Sequence, residues 1–246
     1  MSTLPAYYHA SVVPSSLRNR VCRLCRAAID PQYELCFQCN SVPDSARPDV
    51  LGFGCYAIKG RQLGTDMHRY KAPQRSVQAV EGVLTVLGHA VSHRGCAGAL
   101  AGSEIDAVAV VPSRSHHRAG SPSALERLCE IALEQSGLPF VEVSPSPGSK
   151  SDRKVRADAF IVHDQDVPHA LVVDDTWVSG GSVLSTVWSL RDAGVARVSA
   201  LVVARWLDPS YPATGGLVAE VDRIPGWKDP LRACPFTLDG VCPRTV

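Results

Sequence analysis

The sequence predicts an α/β fold: a central, mostly parallel β-sheet covered by helices on both faces, with a small cysteine-bearing module ahead of it. Three observations carry that expectation. From about residue 50 short apolar runs alternate with amphipathic helical segments, the order that builds a parallel sheet. The apolar runs are β-branched and nearly continuous, as strands buried on both faces are. Residues 1–45 instead hold two Cys-x-x-Cys pairs among Pro, Ser and Asn, with little periodic pattern, so nothing there buries a core unaided.

The elements follow in chain order. Val77, Val80, Val83, Leu84, Leu87 and Val91 recur at three- and four-residue spacing and predict an amphipathic helix over 77–91. IDAVAVV at 105–111, closed by Pro112 and Ser113, reads as a buried strand. Ser121-Pro122-Ser123 opens a helix with Leu125, Leu128, Cys129 and Ala132 on one face, and Gly137 is its stop. A short strand at 140–143 leads into SPSPGSKSDRKVRAD, a loop rich in Ser, Pro, Gly and charge. AFIV (159–162) and ALVVDD (170–175) are strand-like. A helix with Val183, Leu184, Val187, Trp188 and Arg191 comes next, ended by Gly194, and VSALVVAR is the last strand. The chain divides into a cysteine module (1–45), the α/β domain (46–208) and a C-terminal extension (209–246); Trp206 and Trp227 are expected to anchor that tail on the domain.

Composition narrows the function classes. The chain has 246 residues, 45% hydrophobic and 20% charged, which are globular proportions. Twenty-five Lys+Arg against twenty-four Asp+Glu leave a net charge of +1, so no global field draws in nucleic acid or anionic lipid. The apolar runs are too short for a membrane span, and MSTLPAYYHASVV lacks the basic stretch and apolar core of a signal peptide. A soluble cytoplasmic protein is expected. Its odd count of nine cysteines argues against a secreted disulfide framework.

Cys22-Arg-Leu-Cys25, ten residues, then Cys36-Phe-Gln-Cys39 is a four-thiolate zinc pattern: each turn presents two sulfurs, and two turns complete a tetrahedron. Two local disulfides or idle thiols are the bland alternative. Zinc is the expectation, since ligation supplies on the order of 10–16 kcal/mol of folding energy to a segment without a core. With no His, Asp or open position the site is structural. Arg18, Arg20, Arg23 and Arg26 could touch nucleic acid, but acids at 30, 34, 44 and 49 offset them, and a solvated surface is the better expectation. For Cys234 and Cys242 a second metal site would need two further ligands that the sequence does not identify, so loop packing or a tail clasp is expected. Cys55, Cys96 and Cys129 read as small buried hydrophobes.

The chemistry concentrates in ALVVDDTWVSGGSVLSTVWSLRDAG, residues 170–194. Ligands gather beyond the carboxyl ends of parallel strands, where Asp174 and Asp175 stand. Val178-Ser179-Gly180-Gly181-Ser182 then delivers backbone amides to a helix N-terminus, a phosphate site to which the dipole adds roughly 0.3–2 kcal/mol. Acids beside a phosphate cradle suit a sugar phosphate, whose hydroxyls donate to carboxylates. The bland reading is a strand-end turn with solvated Asp residues.

VVDDTWVSGGS closely resembles the phosphoribosyl pyrophosphate (PRPP) signature of type I phosphoribosyltransferases. The Cys-x-x-Cys pairs, YAIKG…HRYK at 56–71, VVPSR at 110–114 and RKVRADAF at 153–160 follow the order of the ComF-like subfamily, over roughly residues 20–205. The resemblance implies a phosphoribosyltransferase-type sheet and a reaction in which a nitrogenous acceptor displaces pyrophosphate from C1 of Mg²⁺-bound PRPP. It implies that Asp174 and Asp175 bind the ribose hydroxyls and that Val178 to Ser182, with Thr176, line the phosphate loop. Ser113 and Arg114 would face the pyrophosphate, with Arg114 as its cation. Lys150, Arg153, Lys154 and Arg156 would lie on a hood that closes over the site, and the segment around 46–75 would read the acceptor.

The chain departs from the family loop at Val178, Ser179 and Ser182, where the family has Thr, leaving one hydroxyl fewer; Trp177 is a bulky occupant of a variable position. The stretch after the pyrophosphate loop is reduced to Arg118-Ala119-Gly120, and His116-His117 read as solvated loop. The expected partners are therefore PRPP and a small-molecule acceptor, with a homodimer allowed. The alternative is a non-catalytic ComF-like protein, a PRPP sensor or a DNA-uptake accessory.

Overall fold

The protein is seen in a computed structural model that describes residues 8–113, 122–148, 154–163, 166–223 and 229–243. In chain order its strands are β1 (His9–Ala10), β2 (Leu51–Ile58), β3 (Ala107–Val110), β4 (Val143–Pro145), β5 (Phe160–Val162), β6 (His169–Trp177) and β7 (Arg197–Leu207). Its helices are α1 (Phe37–Asn40), α2 (Gln62–Arg69), α3 (Val77–Ser92), α4 (Arg94–Ala101), α5 (Ala124–Leu133), α6 (Gly181–Asp192) and α7 (Pro212–Arg223).

The central sheet runs β1-β2-β7-β6-β3, with β2, β7, β6 and β3 parallel and β1 antiparallel at the edge. Alternation within the strands divides the core in two. Leu171, Val173, Leu201, Val108 and Val110 meet Val83, Leu87, Leu128 and Cys129 of α3 and α5 on one face. Ala170, Val172, Ala200, Val202 and Ala109 meet Val183, Leu184, Val187 and Leu190 of α6 on the other. Helices thus cover both faces, as continuous apolar strands require. Ser123 closes a capping box with Glu126 at the start of α5, and Gly137 (φ +68°) stops the turn that follows it.

Several local expectations change. Val77 is exposed, so the apolar face of α3 starts a turn later. Of the strand expected at 140–143, only Phe140 makes a parallel bridge, to Val108. Residues from Val143 pair instead with β5 in a separate two-stranded antiparallel sheet. Pro139 and Pro145 flank the run, and proline cannot donate to a ladder, which limits it to edge positions. Trp206 packs edge-on against His68 of α2 at 5.7 Å. Leu217, Val218 and Val221 of α7 bury against Tyr56, Ile58 and Leu207, and Phe236 lies over Gly52, where a Cβ would come within 2.6 Å of its ring.

Val108 is flanked by Leu171 of β6 on one side and Phe140 on the other. The chain leaves β3 through α5 toward the Phe140 side and later returns on the β6 side. Successive connections diverge there, and such a point opens a crevice at the carboxyl ends of the strands.

Candidate functional site

At this carboxyl end of the sheet β6 ends in Asp174, Asp175, Thr176 and Trp177. Pairing of β6 with β7 continues to Trp177, opposite Arg205, so the acids sit on a fixed strand rather than in a loop. Val111 donates its N–H to Val173 O at 2.9 Å, which brings Pro112-Ser113 level with the acid pair. Asp174 accepts the N–H of Asp175 at 2.8 Å.

Asp175 is tied from outside its own element. Tyr70 Oη and Lys71 Nζ, just beyond α2, each donate to its Oδ2 at 2.6 Å. Tyr70 is fully buried, and burial, then the charge of Asp175, pushes its phenol well above the ordinary range. Tyr70 and Lys71 belong to the HRYK stretch, within the segment around 46–75 that the resemblance assigned to the acceptor; the pairing spans more than one hundred residues of chain.

The loop after β6 owes its shape to Trp177 and Gly180. Trp177 is buried edge-on against Phe53 at 5.7 Å. Gly180 takes φ +81°, and a Cβ there would stand 2.3 Å from the Trp177 ring, so both backbone and space demand glycine. Gly180 is the N-cap of α6 and no side chain caps the helix. The first amides, from Gly181 and Ser182 onward, lack intrahelical acceptors. Val178 is exposed, and Ser179 and Ser182 are half-buried. A turn that presents free helix-start amides thus follows two residues after the acid pair.

Beneath this loop lies the cysteine quartet. The ligand atoms of Cys22, Cys25, Cys36 and Cys39 all lie within 4.8 Å of one another, close enough to hold one metal ion. Sulfurs bonded to one tetrahedral zinc at about 2.3 Å would stand about 3.8 Å apart; Cys25 and Cys36 Sγ are 3.7 Å apart. Cys25 N–H points to Cys22 Sγ at 3.5 Å and Cys39 N–H to Cys36 Sγ at 3.4 Å, the same turn made twice. Contacts with the thiols of Cys25, Cys36 and Cys39 hold Cys22 below its ordinary value, while contacts with Cys22, Cys25 and Cys36 push Cys39 up. Four sulfurs so close lose all their protons only around a cation.

Two side chains join the quartet to the loop. Buried Arg205 donates through Nε to Cys25 O at 2.7 Å and through Nη1 to Trp177 O at 3.1 Å and Val178 O at 3.3 Å. Gln38 Nε2 donates to Ser179 O at 2.8 Å. The sequence offered one signal for Arg205, a cation closing an apolar strand, which must find acceptors when buried. Gln38 carried none.

Arg26 is not part of a solvated surface, as expected from the sequence, but fully buried. Its guanidinium reaches Ser11 O, and Pro235 O at 2.8 Å, and lies 5.1 Å from the Phe53 ring centroid. Arg23 does form a surface pair, with Glu34 at 3.4 Å. Of the residues expected on the basic hood, Lys154 is exposed. Arg156 N–H donates to Ser185 Oγ of α6 at 3.0 Å, and Ser189 Oγ donates to Ala157 O at 2.7 Å, docking this segment on α6. Arg114, Lys150 and Arg153 lie outside the described residues, as do Ser115, His116, His117, Arg118, Ala119, Gly120 and Trp227.

A second group of ligand atoms also converges. Cys234 and Cys242 meet His93 and Cys96, all within 4.8 Å of one another. The sequence reading of Cys96 as a buried space-filler does not hold: it is half-exposed and faces this group, whereas Cys55 and Cys129 are fully buried. Among the described residues no helix is long and apolar enough to cross a membrane. The chain matches no protein-family model and no curated protein.

Proposed function

We propose that the chain is a PRPP-dependent phosphoribosyltransferase of the ComF-like type, with a phosphoribosyltransferase-type sheet and a structural zinc at Cys22, Cys25, Cys36 and Cys39. The observation that carries the reading is the juxtaposition at the carboxyl end of β6. Asp174 and Asp175 stand on the sheet beside an uncapped helix start shaped by Gly180, at the divergence point between β3 and β6. Carboxylates accept from ribose hydroxyls while the first amides of α6, from Gly181 and Ser182, take the 5′-phosphate.

In the reaction the C1–O bond breaks with its electron pair leaving on pyrophosphate. The lone pair of an acceptor nitrogen forms the new bond at C1, and its proton passes to water. Asp174 and Asp175 are hard oxygen ligands of the kind Mg²⁺ takes; they would hold an ion arriving with PRPP, which would supply charge neutralisation for the departing pyrophosphate. Lys71 is bound to Asp175; ribose hydroxyls that donate to that carboxylate would compete with it and release a cation at the same rim. Ser113, at the end of the neighbouring strand, belongs to the same rim.

Calorimetric titration with PRPP and Mg²⁺ tests the reading. Binding by the wild type, weakened at least tenfold by Asp175→Asn, is the expected result, and no binding by the wild type sinks it. A second reading, a PRPP-sensing regulator or DNA-uptake accessory that does not transfer the group, draws on one observation: the Lys71–Asp175–Tyr70 contact is a closed ion pair that a ligand can open. Pyrophosphate release across a panel of nucleobases and amines separates the two, since only the enzyme releases it.

A further inference from the structure

The C-terminal extension ends in a feature that the proposed function leaves unused. His93, Cys96, Cys234 and Cys242 come from two distant stretches of chain, and their ligand atoms converge within 4.8 Å. We propose that these four residues hold a second zinc ion, independent of Cys22, Cys25, Cys36 and Cys39, and that this ion clasps the C-terminal tail to the junction of α3 and α4.

The chain positions each ligand by ordinary backbone rules. His93 ends α3 and starts α4, with φ −87° and ψ 11°, so the helix axis breaks at this residue. Cys96 follows one turn later and its N–H bonds to His93 O at 2.8 Å, which aims both side chains to one side. In the tail, Cys234 N–H donates to Gly240 O at 2.7 Å, closing a loop that carries Cys242 back beside Cys234. Gly240 takes φ +75°, and a Cβ there would stand 2.7 Å from Val12, so the closure depends on glycine.

Distances match a single tetrahedral ion. With Zn–S about 2.3 Å and Zn–N about 2.0 Å, sulfur and nitrogen on one zinc stand about 3.5 Å apart. His93 Nδ1 lies 3.7 Å from Cys96 Sγ and 3.5 Å from Cys242 Sγ. Three sulfurs and one imidazole nitrogen are the donor set that selects zinc, and four protein ligands leave no open position. A site this small takes one ion rather than a polynuclear cluster.

A clasp here has work to do. The tail held by Cys234 supplies Pro235 O to Phe53 N at 3.1 Å and Leu238 O to Val13 N at 2.7 Å. Pro235 O and Thr237 O also receive the buried guanidinium of Arg26. These carbonyls can satisfy Arg26 only while the tail stays in place, and His89 adds a bond to Ala233 O at 3.0 Å.

The test is elemental analysis of the whole chain purified under reducing conditions, with the Cys22→Ser and Cys242→Ser variants alongside. Two zinc ions per wild-type chain, falling to one in each variant, are expected. The two sites are thereby read separately, whatever the fate of the PRPP reading. A wild type with one zinc that Cys22→Ser abolishes, or a Cys242→Ser chain that keeps two, overturns the second site. Limited trypsin digestion reads the clasp: Arg232 is exposed just ahead of buried Cys234, so cleavage there should run at least tenfold faster in Cys242→Ser. Equal rates would overturn the clasp even if zinc binds. His93→Gln should reproduce both losses.

Discussion

Lys71 Nζ lies 2.6 Å from Asp175 Oδ2, an ion pair between the end of α2 and the end of β6 that Tyr70 completes from the buried side. Lys71 is half-exposed and its pair alone is worth about 0–1 kcal/mol. Tyr70 is buried, and a hydrogen bond to a charged partner is worth roughly 1.5–3 kcal/mol. Lys71→Met should therefore leave the urea midpoint nearly unchanged, and Tyr70→Phe should lower it clearly. If the pair belongs to a PRPP site, both variants change PRPP affinity in calorimetry.

Gly180→Ala should damage the loop twice. The left-handed backbone costs a side chain roughly 1–2 kcal/mol, and the new Cβ collides with the Trp177 ring. We expect a loss of about 2 kcal/mol or more in chemical denaturation. Trp177→Ala should cost roughly 3–5 kcal/mol through the cavity it leaves beside Phe53.

Arg205→Met removes donors from Cys25 O, Trp177 O and Val178 O in a buried setting. Each orphaned carbonyl costs about 1–3 kcal/mol, so the variant should lose several kcal/mol of stability. Arg205→Lys supplies one point charge in place of a planar fork and should rescue only part of it. Thermal unfolding followed by circular dichroism compares the three.

Chelation should couple the cysteine quartet to the loop. If the quartet holds the proposed zinc, removing the ion withdraws the order of residues 22–39, and with it the Gln38 contact to Ser179 and the Arg205 bond to Cys25. Metal-stripped protein should show a lower melting temperature and faster hydrogen exchange at Val178–Ser182. Unchanged exchange there would show that the loop stands without its neighbour.

Burial, then the charges of Glu126, Glu130 and Asp174, pushes the Cys129 thiol up to about 12. The unfolded chain loses this proton first, at about pH 8.5. The stabilisation is therefore complete below that pH and is lost as pH climbs toward 12. The Cys129→Ala variant should show a shallower alkaline fall in stability. In the native wild type at pH 8, Cys129 should resist thiol reagents, since only the thiolate reacts; rapid labelling would refute its burial.

Helices and strands were legible because period and punctuation act locally. Ser121-Pro122-Ser123 announced α5, and the apolar runs announced β3, β6 and β7. Asp174, Asp175 and the glycine loop were legible for the same reason, being contiguous. Strand partnership was less so: Phe140–Val143 has strand-forming residues, yet its pairing depends on which backbone edge stands beside it, and prolines decide that.

By itself the sequence determined the α/β class, the positions of α3, α5, α6, β3, β6 and β7, the paired thiol turns and the acid–glycine segment. Each of these rests on residues within a few positions of one another, where spacing alone sets geometry. The tertiary structure decided that Tyr70 and Lys71 meet Asp175, that Arg205 and Gln38 join the cysteine module to the loop, and that His93 and Cys96 meet Cys234 and Cys242. Those contacts join residues far apart in the chain, and their partners are chosen by how helices pack on the sheet. A lone His or Cys in a sequence looks the same whether its neighbour in space is solvent or three other ligands.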